Sequence, residues 1–202
     1  MIVVMVHGFA ESGRRFRRMR GVLEAAGHAC YVPKLSPRDG RLGIEDLSRK
    51  LADFVNAAVP AEGPIALVGF SMGALVARHY LQSRGGAARA RAFFSISGPH
   101  QGTWIAYLYP GLGTRQMRPA SAFLRELDTG LHLLRGVVLH TYRTPVDLMV
   151  APSTRSRIPG VAEQVVWCAF HSHMQGHPRV MGHVAAEIAR IDAAGASGRD
   201  GA

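Results

Sequence analysis

Ser71 stands between two glycines in Gly69-Phe70-Ser71-Met72-Gly73, a G-x-S-x-G pattern whose setting gives it chemical content. The apolar run Ile65-Ala66-Leu67-Val68 leads into it, and Ala74-Leu75-Val76-Ala77-Arg78-His79-Tyr80-Leu81 leads away with helical period. Strand, sharp turn and helix, in that order, lift a serine hydroxyl clear of a sheet. The turn forces the serine into a strained backbone conformation, and side chains at the two glycine positions would block the approach of helix to strand. The helix that follows directs its positive end toward an oxyanion forming at the serine. Outside such a setting the pattern marks only a glycine-rich turn; within it, Ser71 is the candidate nucleophile.

A serine hydroxyl is a weak nucleophile until a base removes its proton, so a histidine and an orienting acid must lie farther along the chain. In the order this motif brings, the acid ends the next-to-last strand and the base follows the last one. Glu126 and Asp128 fall on or beside a helical segment, Glu163 precedes a strand, and Glu187, Asp192 and Asp200 come too late. Asp147, just beyond the apolar run Val137–Tyr142, is the acid that fits. The final run enters Phe170-His171-Ser172-His173-Met174-Gln175-Gly176-His177, where His171, His173 and His177 compete for the role of base. The same imidazoles raise metal binding as a rival reading, but no carboxylate stands beside them, and no metal is expected. Two backbone N–H groups must also converge on the oxyanion. Met72 supplies one as the residue after the nucleophile, and Phe9, in the His7-Gly8-Phe9-Ala10 turn after the first strand, is expected to supply the other.

The elements that must hold these groups alternate along the chain. Strands are expected at Ile2–His7, His28–Val32, Pro64–Phe70, Ala92–Ser97, Val137–Tyr142 and Val165–Phe170. They are rich in Val, Ile and Phe with little polar alternation, as in a parallel sheet buried on both faces. Helices are expected near Arg14–Ala26, Ile44–Ala58, Met72–Gln82, Ala120–Leu127 and Pro178–Ile191. This order gives an α/β class, doubly wound fold with right-handed crossovers and a site at the carboxyl ends of the strands.

Composition sets the outer bounds. With 202 residues and 48% hydrophobic content the chain is the size of one domain with a substantial core. No apolar run is long enough to span a membrane, and the first residues lack the charged lead-in of a signal peptide, so the chain as given reads as soluble. Cys30 and Cys168 sit in apolar runs, which favours buried free thiols over a disulfide. Lys+Arg 24 against Asp+Glu 14 gives a net charge of +10, a balance that attracts phosphate-rich partners or anionic surfaces. The basic stretch Arg14-Arg15-Phe16-Arg17-Arg18-Met19-Arg20 has helical spacing, with Phe16, Met19 and Leu23 as the buried stripe. It reads as a solvated helix face rather than a specific nucleic-acid site, and a weak association with anionic membrane surfaces is the most it implies.

Taken together, these residues resemble the bacterial lipase/esterase branch of the α/β-hydrolase superfamily, especially its minimal lidless lipases. The likeness rests on His7-Gly8-Phe9, on Gly69-Phe70-Ser71-Met72-Gly73-Ala74, on Gly98-Pro99-His100-Gln101-Gly102-Thr103, similar to the PHxGT segment of that family, and on Asp147. Phe70 and Ala74 depart from it, at positions where the family often carries His and Gly. The spacing of Met174 and Val180 from His171 matches the family's pattern around its base, and the resemblance thereby selects His171. It implies a single α/β-hydrolase domain over residues 1–192; the tail at 193–202, small and polar, reads as frayed. It also implies an esterase or lipase acting on short- to medium-chain esters through Ser71, Asp147 and His171, as a monomer without cofactor. The apolar stretch Thr103–Leu112 reads equally as the lining of an acyl site or as the packing of a long loop. A thioesterase, amidase or acyltransferase would share these residues, whereas a non-catalytic basic surface binder would leave them unexplained.

Overall fold

In the computed structural model, which describes residues 1–197, six strands form one sheet in the order β2-β1-β3-β4-β5-β6. They are β1 (Ile2–Val6), β2 (Ala29–Tyr31), β3 (Ile65–Phe70), β4 (Ala90–Ile96), β5 (Val138–Arg143) and β6 (Glu163–Val165). Every neighbouring pair is parallel. The sheet separates two cores because successive strand side chains point to opposite faces. Val4, Val6, Ile65, Leu67 and Phe93 face one core, where α2 (Ile44–Ala58), α3 (Met72–Ser83) and α5 (Ala122–Thr129) pack. Val3, Met5, Ala66, Val68 and Phe94 face the other, against α1 (Arg17–Ala25) and α6 (Pro178–Ser197). Both faces are therefore covered, which is why these strands read as unbroken apolar runs.

The helices follow their apolar spacing. Phe16, Met19 and Leu23 are fully buried while the arginines between them are exposed, and a 3-10 turn over Arg14–Phe16 leads into α1. Pro178 opens α6, where its missing N–H costs nothing, and Val180, Val184 and Ile188 form the buried stripe. This helix continues through Ser197, so the part of the expected tail at 193–197 is helical and the rest, 198–202, lies outside the described residues. A short helix, α4 (Leu112–Gln116), has no counterpart among the expected elements. Cys30 and Cys168 are free thiols, but both are half-buried rather than buried. Burial pushes the Cys30 thiol up to about 11.

The largest departure from the expected elements is the last strand. It occupies Glu163–Val165 and not Val165–Phe170, because β5 runs out at Arg143 and Thr144-Pro145 follows. Val166 still donates to the Arg143 carbonyl at 2.8 Å. Beyond it the Thr144 hydroxyl takes over, donating to the Cys168 carbonyl at 2.8 Å and accepting from the Cys168 amide at 3.2 Å. One side chain thus extends the pairing past the end of the ladder and carries the chain to His171.

Strand order places the site. β1 has β2 on one side and β3 on the other, so the chain reverses direction across the sheet there, and a crevice opens at the carboxyl ends. The turns after β1, β3, β4 and β5, and the segment after β6, all meet at this edge.

Candidate active site

Ser71 links β3 to α3 with φ 53° and ψ −126°, a backbone conformation that a side chain adopts only under strain. Its amide donates to the Ile96 carbonyl at 2.9 Å, which fixes the turn to the end of β4. The flanking glycines are required by contact. A Cβ on Gly69 would fall on the backbone of Ala74, and one on Gly73 would fall on the carbonyl oxygens of Val6 and His7. The first turn of α3 therefore lies against both its own strand and the end of β1.

Gly8 closes the other side. A Cβ there would sit 3.0 Å from that of Ser71, so the turn after β1 passes directly beside the serine. His7 holds this turn from behind: its Nδ1 lies 3.1 Å from the Gly8 carbonyl, and its Nε2 accepts from the Leu35 amide at 3.2 Å. Burial lowers the His7 pKa below its ordinary value, which keeps the ring neutral and able to accept. Phe9 and Ser71 line the same pocket, and the Phe9 amide has no hydrogen-bond partner among the described residues. The Met72 amide is at the first position of α3, where a helix leaves its N–H groups free.

Asp147 and His171 meet. His171 Nδ1 donates to Asp147 Oδ2 at 2.8 Å, and the Asp147 side chain is fully buried. The other carboxylate oxygen accepts from the Met149 and Val150 amides, both at 2.9 Å. Burial alone would push the Asp147 pKa up. The hydrogen bond and charge of His171, together with the two amides, outweigh it and hold the carboxyl below its ordinary value. The His171 ring packs on Phe70, the residue before the serine, with centroids 4.8 Å apart. His173 and His177 take no part in this pairing. His173 lies against Phe170 and faces an outer groove, and the Nδ1 of His177 accepts from the Arg179 amide. Among the described residues no group of His, Cys, Asp and Glu side chains is arranged to hold a metal ion.

Two buried hydrogen-bonding residues lie in the Gly98–Thr103 segment, which sequence alone marks without giving it a role. The Thr103 hydroxyl donates to the Met149 carbonyl at 2.8 Å and accepts from the Ala151 amide at 3.0 Å, which clamps the loop that cradles Asp147. His100 is fully buried, with Nε2 2.6 Å from the Ser95 hydroxyl. A Cβ on Gly98 would strike both partners, so this bond needs glycine there. The apolar stretch does line the pocket beside Ser71, through Ile105, Ala106 and Tyr109. Thr114 of α4, together with Met117 and Met149, completes the wall. This pocket carries no charged side chain and has a volume of about 40 Å³.

Residues 3–197 match the alpha/beta hydrolase family, and the chain belongs to that family. The fold is similar to that of the mature lipase BlEst2 of Bacillus licheniformis, with TM-score 0.72 and 13% identity, over 86% of this chain and 85% of that one. It is also similar to lipase B of Aspergillus fumigatus, with TM-score 0.73 and 19% identity, over 89% of this chain and 50% of that one. A pyrethroid hydrolase of Sphingobium faniae aligns with TM-score 0.61 and 16% identity, over 92% and 96% of the two chains. By sequence, the chain is 28% identical over 142 residues to the Mycobacterium tuberculosis protein named "Probable oxidoreductase EphD". That match covers 65% of this chain and only 23% of the mycobacterial protein. No helix among the described residues is long and apolar enough to cross a membrane.

Proposed function

We propose that the protein is a serine carboxylic-ester hydrolase acting on short-chain esters. The reading is carried by one observation: a buried, ionised Asp147 holds His171 by Nδ1 at 2.8 Å, on a ring packed against the residue preceding a strained Ser71. A carboxylate only accepts, so the imidazole proton sits on Nδ1 and Nε2 keeps its lone pair. Nε2 takes the Ser71 proton as Oγ attacks the ester carbonyl, and the Phe9 and Met72 amides receive the oxyanion. The same proton is returned to the departing alcohol oxygen as the carbon–oxygen bond breaks. Water then repeats the sequence on the acyl-serine, releasing the acid and restoring Ser71.

The acyl pocket argues for chain length. A buried site needs roughly 10–15 Å³ of such space per water, so about 40 Å³ accommodates only a few chain atoms. Hydrolysis of p-nitrophenyl butyrate is expected to exceed that of the decanoate in kcat/KM. Ser71→Ala is expected to lose about 10³-fold or more in turnover with its circular dichroism unchanged. Near-parental turnover in that variant would remove Ser71 from the mechanism and the proposal with it.

A further inference from the structure

The acyl pocket is uncharged, but two grooves that border the turns of His171 and Gly8 are basic. A groove of about 530 Å³ runs between Arg14, Arg17 and Arg18 on one wall and Ser172, His173 and His177 on the other. A second, of about 430 Å³, is lined by His7, Glu11, Arg14, Lys34 and Arg38, so Arg14 borders both. Glu11 is the one acid lining either groove, and it is already engaged by Arg15 at 3.1 Å and by Gln175 at 3.0 Å. Among the described residues Arg14, Arg17, Arg18, Lys34 and Arg38 form no ion pair, in contrast to Arg49, Lys50, Arg143 and Arg190, each of which meets a carboxylate. Like charges gathered without counter-ions repel one another, and an anion placed among them relieves that repulsion.

The walls of these grooves are the two turns that serve the chemistry. Ser172 and His173 follow His171 in its own turn, and His7 directly precedes the Gly8-Phe9 turn beside the serine. No residue lines both the acyl pocket and either groove. In the reaction above, His171 must reach the departing oxygen to protonate it, so the alcohol half of the ester leaves on the His171 side. The turn that carries His171 also borders the groove where the unpaired guanidinium groups stand. Arginine binds phosphate oxygens through paired N–H groups, with a geometry that carboxylate and phosphate share and neutral alcohols lack.

We infer that the preferred substrates are esters whose alcohol half carries a phosphate group, bound by Arg14, Arg17 and Arg18 while the short acyl chain enters the uncharged pocket. The inference rests on the ester-hydrolase reading and adds the identity of the leaving group. The phosphate itself is untouched: the bond broken is the acyl carbon–oxygen bond, and the phosphorylated alcohol departs with the proton from His171.

The test compares two soluble substrates with one acyl chain, 1-butyrylglycerol 3-phosphate and 1-butyrylglycerol. Charge-assisted contacts at a partly exposed site correspond to about a 10-fold preference in kcat/KM, and that preference is expected for the phosphorylated ester at low salt. About 0.5 M NaCl should erase most of it by screening. Arg14→Gln combined with Arg18→Gln should bring the two esters to parity while leaving 1-butyrylglycerol turnover unchanged, since both side chains are exposed. Equal rates for the two esters in the parent protein, with 1-butyrylglycerol hydrolysed through Ser71, would overturn this inference alone. Hydrolysis of 1-butyrylglycerol that survives Ser71→Ala would overturn the reading beneath it. A preference seen only when the ester is carried in phosphatidylglycerol vesicles, and absent in the soluble pair, would assign the arginines to a lipid surface and also overturn the inference.

Discussion

Thr103→Val removes one hydroxyl and keeps the shape of the side chain. The hydroxyl spans a gap in the loop that cradles Asp147, bonding the Met149 carbonyl and the Ala151 amide, and it also accepts from the Ile105 amide at 3.3 Å, all from a residue only 5% exposed. The Met149 amide is itself a donor to Asp147, so the clamp lies one peptide from the carboxylate. Each lost bond costs about 1 kcal/mol net, and a buried backbone group left without a partner costs about 1–3 kcal/mol. Three such groups give roughly 4 kcal/mol, or about 8–16 °C in Tm for a domain of this size. Because Asp147 orients His171, the variant is also expected to lose about 10-fold in kcat with little change in KM. Thr103→Ser keeps the hydroxyl and should restore both. The assay is a thermal melt by circular dichroism alongside p-nitrophenyl butyrate kinetics for the two variants. If Thr103→Val melts with Thr103→Ser and turns over at the parental rate, the clamp does not hold the acid and the reasoning fails.

Two further outcomes follow from the geometry. Gly73→Ala places a methyl group on the Val6 and His7 carbonyl oxygens, where neither β1 nor α3 can yield. A loss of more than about 4 kcal/mol is expected, and a denaturation midpoint within error of the parent would contradict it. His100 is fully buried, and burial followed by the Arg78 charge keeps its pKa well below the ordinary 6.5, so the folded chain holds it neutral while the unfolded chain binds a proton. His7, lowered chiefly by burial, acts in the same direction. Stability is therefore whole above the unfolded value and falls as pH drops below it, by up to about 1.4 kcal/mol per pH unit for each such histidine. Melts from about pH 7.5 to pH 5.5 should show this decline, and a flat Tm over that range would refute it.

The parts of the molecule readable from sequence are those decided within a few residues. The Gly69–Gly73 turn, the start of α2 at Ile44 and the buried stripe of α1 each follow from local spacing, and the structure has them where spacing puts them. Val165–Phe170 is apolar enough to be a strand, yet the last strand ends at Val165. Its end is set instead by Thr144 and Pro145, which stop its neighbour some twenty residues earlier in the chain. α4 has five residues, one of them Gly and one Thr, too few to show a period. From the residues themselves His171 and His173 compete, and only the resemblance in the spacing of Met174 and Val180 favours His171. The physical reason is reach to a carboxylate in a distant loop, and that is set by the fold. The clamping role of Thr103 is hidden for the same reason, since Met149 and Ala151 lie beyond β5.

The central claim is that Ser71 is a nucleophile activated by the Asp147–His171 pair, and its most direct test is covalent labelling by a fluorophosphonate followed by peptide mapping. The label is expected on Ser71 alone, because only an activated serine displaces fluoride from phosphorus at a useful rate. His171→Ala and Asp147→Asn should each slow labelling by orders of magnitude, and His173→Ala should leave its rate near that of the parent. A label on another residue, or labelling that depends on His173 and not on His171, would contradict the account.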